Sequence, residues 1–464
     1  MDLIIFSFLV PILAGIFAFR LDGKRADALL VGASGFSLIV ITYSLITFTP
    51  RHVVLAEVDN FGEVYGLIVD DISLPIAFVV SLVGFLFMLY SIDYLSPHNR
   101  EKPVREGKGR FHGWMLIFLG STLGFLFSSS ILQMLVFFEL MSLACWGVVG
   151  FYGTKEAIRA AYKALLMPNF GALVGLYSAF ALAYLKTHNL SLLSLSSLPQ
   201  DVKLLVFLGA MIAAFTKSAQ FPLYSWLPDA MEAPTPASAF LHGAAMIEMG
   251  VFLLARIVQF MSPIPKAGGF IMLFLLAITL LITTIAYPMQ KDAKRLLAYS
   301  TMAEAAVMYS GVLFAIFGSE VGIKLAMFQI FTHAFVKGLG FLTAGTFSYS
   351  LGTLNMGKIK VGGLIGAIWM LSLFGLAGAP PFGIFFSKAL LLRSGVQIGG
   401  ICWAIVLLIL LDSTVFFVVS ALRVRDMLGG EDLKVTGLMR GVIAILAVLA
   451  VIAPALGYKL IVGW

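Results

Sequence analysis

Residues 202–256 read VKLLVFLGAMIAAFTKSAQFPLYSWLPDAMEAPTPASAFLHGAAMIEMGVFLLAR, a stretch that sets charge and proline inside an apolar chain. Lys217 lies in an apolar run, and Pro222, Pro228, Pro234 and Pro236 follow in quick succession. A straight helix from Val202 to Met231 would measure about 45 Å, against a hydrocarbon thickness of about 30 Å. Pro222 cannot donate the backbone hydrogen bond that continuing the helix requires. The stretch therefore predicts a discontinuous helix with Lys217 just before the break. Broken helices survive in lipid only where protein or a water-filled cavity satisfies the freed backbone groups. A lysine beside such a break points to an ion or proton path.

The rest of the composition fits that reading. The chain has 464 residues, 60% of them hydrophobic, and a mean hydropathy of +1.00, which makes it an integral membrane protein forming one domain over 1–464. Its net charge of +7 comes from lysines and arginines in short loops between apolar runs, which argues against a nucleic-acid partner. The two cysteines, Cys145 and Cys402, both lie in apolar runs. Neither metal-ligand spacing nor a disulfide framework is present, so no cofactor or metal is expected in this chain. The opening apolar stretch runs into Arg20 without a small-residue cleavage site and reads as a span, not a removable leader.

Apolar runs long enough to cross a membrane predict an all-α fold of about fourteen transmembrane helices. Their limits are 2–20, 27–49, 71–95, 112–129, 131–151, 159–185, 202–231, 236–260, 268–289, 296–317, 321–350, 361–395, 399–422 and 440–462. The seventh, eleventh and twelfth are over-long or broken. Loops on the side of the first connection hold 20 lysines and arginines, and the opposite loops hold 8. The positive-inside rule then puts the first connection in the cytoplasm and both termini outside a cell inner or plasma membrane.

Three lysines remain, Lys217, Lys337 and Lys388, and all fall within spans. So do the acids Glu139 in the fifth, Glu248 in the eighth, Glu304 in the tenth and Asp412 in the thirteenth. A charge at mid-membrane costs roughly 3 kcal/mol even on the insertion scale, so each needs a reason. Glu304 and Lys388 could instead snorkel to an interface. In the eleventh span, Gln329, His333 and Lys337 recur every four residues and so share one helix face. Histidine exchanges protons near neutral pH, which makes this stripe a candidate relay, with a merely structural histidine as the alternative.

The twelfth span, LFGLAGAPPFGIFFSKALLL, is broken by Pro380 and Pro381, with Lys388 seven residues beyond. Two broken helices, each with a lysine nearby, thus stand five spans apart. This predicts an internal repeat, spans four to eight (112–260) against nine to thirteen (265–424). Helices 1–3 (1–111) would precede it and helix 14 (437–464) would follow. Under this pairing Glu248 corresponds to Asp412. Five is odd, so the two five-helix repeats must be inverted across the membrane, a plan typical of transporters.

Five segments, FFELMSLACW, TKSAQFPLYSWLPDAMEAPTPASAFLHGAAM, LLAYSTM, THAFVKGLGFL and APPFGIFFSK, carry a resemblance over nearly the whole chain. They resemble the antiporter-like subunits shared by complex I, Mrp-type cation/proton antiporters and membrane-bound hydrogenases. The resemblance implies fourteen helices in inverted repeats with the seventh and twelfth broken. It also implies that Glu139 pairs with Lys217, that His333 and Lys337 form the central relay, and that Lys388 is the outlet lysine. This chain departs from the family in three places. Glu248 stands where a lysine is usual, Gln329 where a histidine is usual, and Ala303, Glu304, Ala305 and Ala306 replace a serine–glutamine–leucine–glycine stretch. The long lateral C-terminal helix of the largest complex I member is not expected, since the sequence ends at Trp464.

The implied function is an antiporter-like subunit of a redox-driven membrane complex: a membrane-bound hydrogenase, sulfur reductase or complex I relative. It would translocate protons, or exchange them for sodium, through Glu139, Lys217, Glu248, His333, Lys337 and Lys388. Gln329, Asp412, Glu304, Pro222 and Pro381 would support that line. Its partners would be other membrane subunits, including further antiporter-like ones, and peripheral redox subunits carrying the iron–sulfur centres. The alternatives are an Mrp-type antiporter subunit without redox partners, or a structural subunit that no longer pumps.

Overall fold

The computed structural model describes residues 2–463, so the outer limits of the predicted domain, Met1 and Trp464, lie outside the described residues. Helices α1 (Ile4–Ala18) and α2 (Gly23–Ile46) open the chain, and a β-hairpin follows, β1 (Arg51–Val58) and β2 (Gly62–Val69). Then come α3 (Ser73–Tyr94), α4 (Lys108–Leu126), α5 (Ile131–Val149), α6 (Lys155–Gly171) and α7 (Ser178–Thr187). A wider π-turn, Ala172–Tyr177, joins α6 to α7 in one long rod after Pro168. The middle holds α8 (Gln200–Lys217), the short α9 (Trp226–Asp229), α10 (Thr235–Gly243) and α11 (Met246–Met261). The remainder is α12 (Lys266–Ala286), α13 (Ala293–Ile316), α14 (Gly322–Leu351), α15 (Gly363–Ala377), α16 (Gly383–Ile398), α17 (Cys402–Met427) and α18 (Gly437–Gly457). Among the described residues, ten helical rods are long and apolar enough to cross a membrane.

Local chemistry sets several boundaries. Ser130 caps α5 by accepting the Gln133 amide (3.2 Å), Thr154 caps α6 through the Ala157 amide (3.1 Å), and Asp292 caps α13 through the Arg295 amide (2.9 Å). Each satisfies an amide that a helix start leaves without a partner. Packing in lipid relies on close backbone approach. α13 and α14 touch through glycine: a Cβ added at Gly311 would lie 2.7 Å from the Gly322 carbonyl oxygen. That contact fixes the seam along which most of the buried charges meet. α14 and α13 are the innermost rods, with nearly every side chain out of contact with the surroundings.

Two sequence expectations change. The all-α reading omitted the hairpin, which pairs Arg51 with Val69 and Val58 with Gly62. Its signal was present in the β-branched Val53 and Val54 and the turn residues Asn60 and Gly62, both left-handed. The eleventh span, expected to be over-long or broken, is over-long, one unbroken 30-residue helix. The eighth, expected to be continuous over 236–260, is interrupted at Ala244–Ala245. Alanine is the best helix former, so the one local mark of that break is Gly243 just before it.

The hairpin is tied to the helices at two points. Glu63 is buried and accepts hydrogen bonds from the hydroxyls of Ser129 and Ser191, with His52 Nε2 2.9 Å away. Asp70, just after β2, pairs with Arg256 of α11, a fully buried guanidinium that also donates to Gln259 (2.8 Å) and lies over Phe252. Burial pushes the Asp70 carboxyl up, but the Arg256 charge outweighs it and holds the group at about 2. A carboxylate depressed in this way contributes its stability above the unfolded value, and that contribution disappears as pH falls towards about 2. Asp70→Asn should therefore mimic acid at neutral pH. It leaves Arg256 buried without its anion, a loss of about 3–5 kcal/mol for such pairs. Thermal unfolding of the purified protein, with protease nicking at the hairpin, measures it; unchanged melting would show that the pair is not a clamp.

Candidate functional site

The break after Lys217 is built from side chains as much as from proline. α8 ends because Ala219 adopts a left-handed conformation (φ 51°) and the Gln220 amide turns back to the Phe215 carbonyl (2.8 Å). Two polar side chains then take up freed carbonyls: Gln220 Nε2 donates to Ser218 (2.8 Å) and Met302 (3.1 Å), and Trp226 Nε1 donates to Thr216 (2.9 Å). The helix has thus stopped four residues before Pro222. The second break repeats this cap. Gly378 is left-handed (φ 92°) and the Ala379 amide returns to Phe374 (2.9 Å), ahead of Pro380 and Pro381.

Lys217 is fully buried at the end of α8. Its Nζ donates to the Phe138 carbonyl (2.5 Å) and Ser142 Oγ (2.9 Å), and lies 3.6 Å from the centre of the Phe138 ring. A desolvated cation over an aromatic face gains about 2 kcal/mol, which helps to hold it in an apolar interior. The expected Glu139–Lys217 ion pair is absent among the described residues. Phe138 and Ser142, four residues apart, form the face of α5 that meets Lys217. Glu139 is rotated off that face and lies half-buried towards the outside of the chain, within electrostatic reach of Lys217 but not in contact.

The eighth-span break brings a second half-helix to the centre. The amides of Ala244 and Ala245 both turn to the Phe240 carbonyl (3.1 and 3.0 Å), and α11 restarts at Met246. Glu248 therefore sits in the first turn of a helix, where the dipole favours negative charge. The two breaks abut: Ser218 Oγ donates to the Ile247 carbonyl (2.6 Å) and meets Tyr309 Oη at 2.9 Å. Glu248 Oε1 is 3.2 Å from His333 Nδ1, both side chains are fully buried, and neither makes a well-aligned hydrogen bond elsewhere.

From His333 the line continues along the α13–α14 seam. Lys337 Nζ donates to Ser300 Oγ (2.6 Å) and the Leu297 carbonyl (3.2 Å). One turn on the other side of His333, Gln329 Nε2 donates to Glu304 Oε2 (2.7 Å). Glu304 Oε1 in turn accepts from Lys388 Nζ (2.7 Å), which also meets Ser413 Oγ (3.1 Å). Neither Glu304 nor Lys388 snorkels; they neutralise one another. Asp412 stands next to Ser413 and accepts from three hydroxyls, Thr283 (2.8 Å), Thr284 (3.0 Å) and Tyr287 (3.0 Å).

Sequence reasoning missed two members of this region. His242, inside the opening stretch, is fully buried with Nδ1 3.1 Å from Thr301 Oγ1 and its ring against Phe341; Nε2 has no partner among the described residues. A histidine within an apolar run was its signal. Lys294 was counted with the loops but is buried, donating to the carbonyls of Met231 (2.7 Å) and Ala233 (2.6 Å). It lies beneath a cavity of about 290 Å³ lined by Glu101, Lys102, Asp229, Glu232, Asp292 and Arg295. Among the described residues no group of three or more His, Cys, Asp or Glu could hold a metal ion.

Comparison with known proteins gives a consistent result. The family model described as NADH:quinone oxidoreductase/Mrp antiporter, transmembrane, matches residues 128–416. That of the NADH-ubiquinone oxidoreductase (complex I) chain 5 N-terminus matches 56–105. The chain is 36% identical to a Na(+)/H(+) antiporter subunit of Alkalihalophilus pseudofirmus, over 71% of this chain and 43% of that protein. It is 32% identical to a Na(+)/H(+) antiporter subunit of Staphylococcus haemolyticus, over 85% of this chain and 50% of that protein. The chain thus spans about half the length of the curated relatives it matches. Among solved structures, a chain of the membrane-bound sulfane sulfur reductase, an archaeal respiratory membrane complex, superposes with a TM-score of 0.87 at 20% identity. That match covers 100% of this chain and 96% of that one. A chain of the Mrp complex from Dietzia sp. superposes at 0.83 with 25% identity, covering 99% and 50%.

The central geometry makes a structural prediction. Glu248→Lys would put an ammonium beside His333 and Lys337 with no anion in contact, and an uncompensated buried charge costs several kcal/mol. We expect that variant to melt earlier or fail to assemble, whereas Glu248→Gln keeps the shape and should assemble. Equal melting temperatures for the Lys variant and wild type would overturn the buried assignment of Glu248.

Proposed function

The chain belongs to the NADH:quinone oxidoreductase/Mrp antiporter transmembrane family, and from that premise we propose that it translocates ions within a multisubunit membrane complex driven by redox chemistry on its partners. The observation that carries the proposal is the line of buried titratable groups through the middle of the bundle: Lys217, Glu248, His333, Lys337, Glu304 and Lys388. Buried ionisable groups within spans mark ion pathways by default. Protons enter at Lys217, whose charge Glu139 modulates from a distance. They pass by way of Glu248 to His333 and Lys337 and leave through Lys388, in exchange for sodium if the complex is an antiporter. Gln329 and Asp412 position this line, and Pro222 and Pro381 keep the two breaks from closing into helix.

Two five-helix units, 112–260 and 265–424, would enclose it, inverted with respect to each other, after helices 1–3 (1–111) and before helix 14 (437–464). The shared cap at the two breaks, a left-handed residue followed by an amide returning five residues, supports the repeat. The first connection would face the cytoplasm and both termini the outside. The likeness in fold to a chain of an archaeal respiratory complex supports a redox-driven assembly, with the electron-carrying cofactors on partner subunits. A second reading, an Mrp-type antiporter without redox partners, is supported by the identity to Na(+)/H(+) antiporter subunits. The subunits that co-purify with the chain decide between them.

Lys217→Ala is the central test. It removes a titrating group while the small residue still fits the end of α8. In vesicles carrying the assembled complex, proton or sodium flux should fall by about a hundredfold or more, the scale of losing a positioned acid–base group. Wild-type flux in an assembled Lys217→Ala complex would leave only a structural role. Glu139→Gln should lower activity less and displace its pH optimum; an unchanged rate and profile would remove Glu139 from the path.

A further inference from the structure

We propose that Glu304 is the proton-carrying group between the central His333–Lys337 pair and Lys388, and that its ion pair with Lys388 opens when a proton reaches it. This rests on the reading of the chain as an ion-translocating subunit. Two contacts meet at the carboxyl group, and a third fixes one of the partners. Oε2 accepts from Gln329, Oε1 accepts from Lys388, and Gln329 is itself locked, because its Oε1 accepts from Ser387 Oγ (2.5 Å). With its oxygen engaged there, the amide presents only N–H to Glu304 and can neither take nor release a proton. Ser387 is held in turn by Thr332 Oγ1 at 2.8 Å. Of the groups bridging α14 and α16 at this point, Glu304 is the one that can carry the charge across.

Helix spacing gives the path its geometry. On α14, Gln329, His333 and Lys337 are one turn apart; on α13, Ser300 and Glu304 are one turn apart. Lys337 reaches α13 at Ser300, one turn from Glu304, while on α14 it stands two turns from Gln329 with His333 between them. Water carries a proton between polar groups that do not touch at little cost, and Glu304 lies within electrostatic reach of Lys337. Lys388 and Glu304 are also the first members of the line with any exposure, 8% and 6% of their side chains, where Lys337 has none. The charged and titratable groups facing Glu304 are Lys388 from α16, Lys337 from α14 and Tyr287 after α12, while His333 from α14 and Asp412 from α17 act on Lys388. Asp412 has its oxygens filled by three hydroxyls and acts on Lys388 only from a distance.

Proton accounting gives the opening step. Between them the Lys388 ammonium and the Glu304 carboxylate hold one proton. When Lys337 releases a proton through water, its N–H bond breaks, a new O–H bond forms on Glu304, and Lys337 is left neutral. Glu304 is now an uncharged acid and no longer holds Lys388, whose ammonium turns to Ser413 and the exposed side. Lys388 then gives its proton to solvent, and the neutral amine takes the proton from Glu304, restoring the pair. One proton has crossed, and Lys337 regains its own from the inner part of the line. A purely structural Glu304 would neutralise Lys388 without ever becoming an acid.

The test uses the whole complex, purified and reconstituted, with proton flux followed over a range of pH. Infrared difference spectra record the carboxylic-acid carbonyl stretch during turnover. Glu304→Gln should assemble, lose flux by about a hundredfold, and lack a carbonyl band present in wild type. Glu304→Asp, which keeps the acid but shortens its reach, should recover part of the flux with a displaced pH profile. It also serves if the Gln variant does not assemble, since an unchanged rate and profile in Glu304→Asp would overturn the proposal. Wild-type flux in Glu304→Gln while Lys217→Ala and Lys388→Ala are inactive would remove Glu304 from the path and leave the transport reading standing. Wild-type flux in Lys217→Ala and Lys388→Ala as well would instead remove that reading.

Discussion

A helix can be cut in the middle of a bilayer only if the backbone groups it releases find partners inside the protein. Here the partners are side chains: the Gln220 amide, the Trp226 indole and the Ser218 hydroxyl close the gap after Lys217. Everything functional in the centre depends on that closure. It ends α8 with a buried ammonium, brings Ser218 against Ile247, and so sets Glu248 one residue further along at the start of another half-helix. The charges are tolerable for the same reason. Two of the lysines sit where a broken or tightly packed backbone already supplies carbonyls and hydroxyls, Phe138 and Ser142 for Lys217, and Leu297 and Ser300 for Lys337.

Much of this was legible in the sequence, because lipid makes charge conspicuous. Lys217, Glu248, His333 and Lys337 stand out against apolar neighbours, and prolines mark two of the three breaks. The third was hidden, since Ala244 and Ala245 have every local reason to be helical and are held open only by tertiary contacts around Ser218 and Ile247. The hairpin was overlooked because hydropathy reading looks for membrane-length runs, and β1 and β2 are eight residues each. Lys294 was misassigned because a charge count sees position in the chain and not depth in the bundle. Partnership was the least legible property. Sequence spacing put Glu139 near Lys217, but only the rotation of α5 shows that Phe138 and Ser142 face the lysine.

The departures from the family's usual residues prove to be connected. Glu304 and Gln329 are bonded to each other, so the acid in the tenth span and the missing histidine in the eleventh are two sides of one contact. Glu248 is likewise set against His333. Two carboxyl groups have thus been added to a line otherwise rich in lysine and histidine, and each lies against a basic group in a neighbouring helix. The Glu304 carboxylate accordingly offsets one of the buried lysine charges, that of Lys388.

The Asp70–Arg256 pair has a mechanical meaning as well as a thermodynamic one. Arg256 lies eight residues beyond Glu248 on α11, about 12 Å along its axis. The half-helix is thus a short strut tied at both ends, to Asp70 beside the hairpin at Arg256 and to the first break through Ser218 at the Ile247 carbonyl. A strut held at both ends transmits a push along its axis. Displacement at the break after Lys217 would therefore be felt at the hairpin, at the far end of α11.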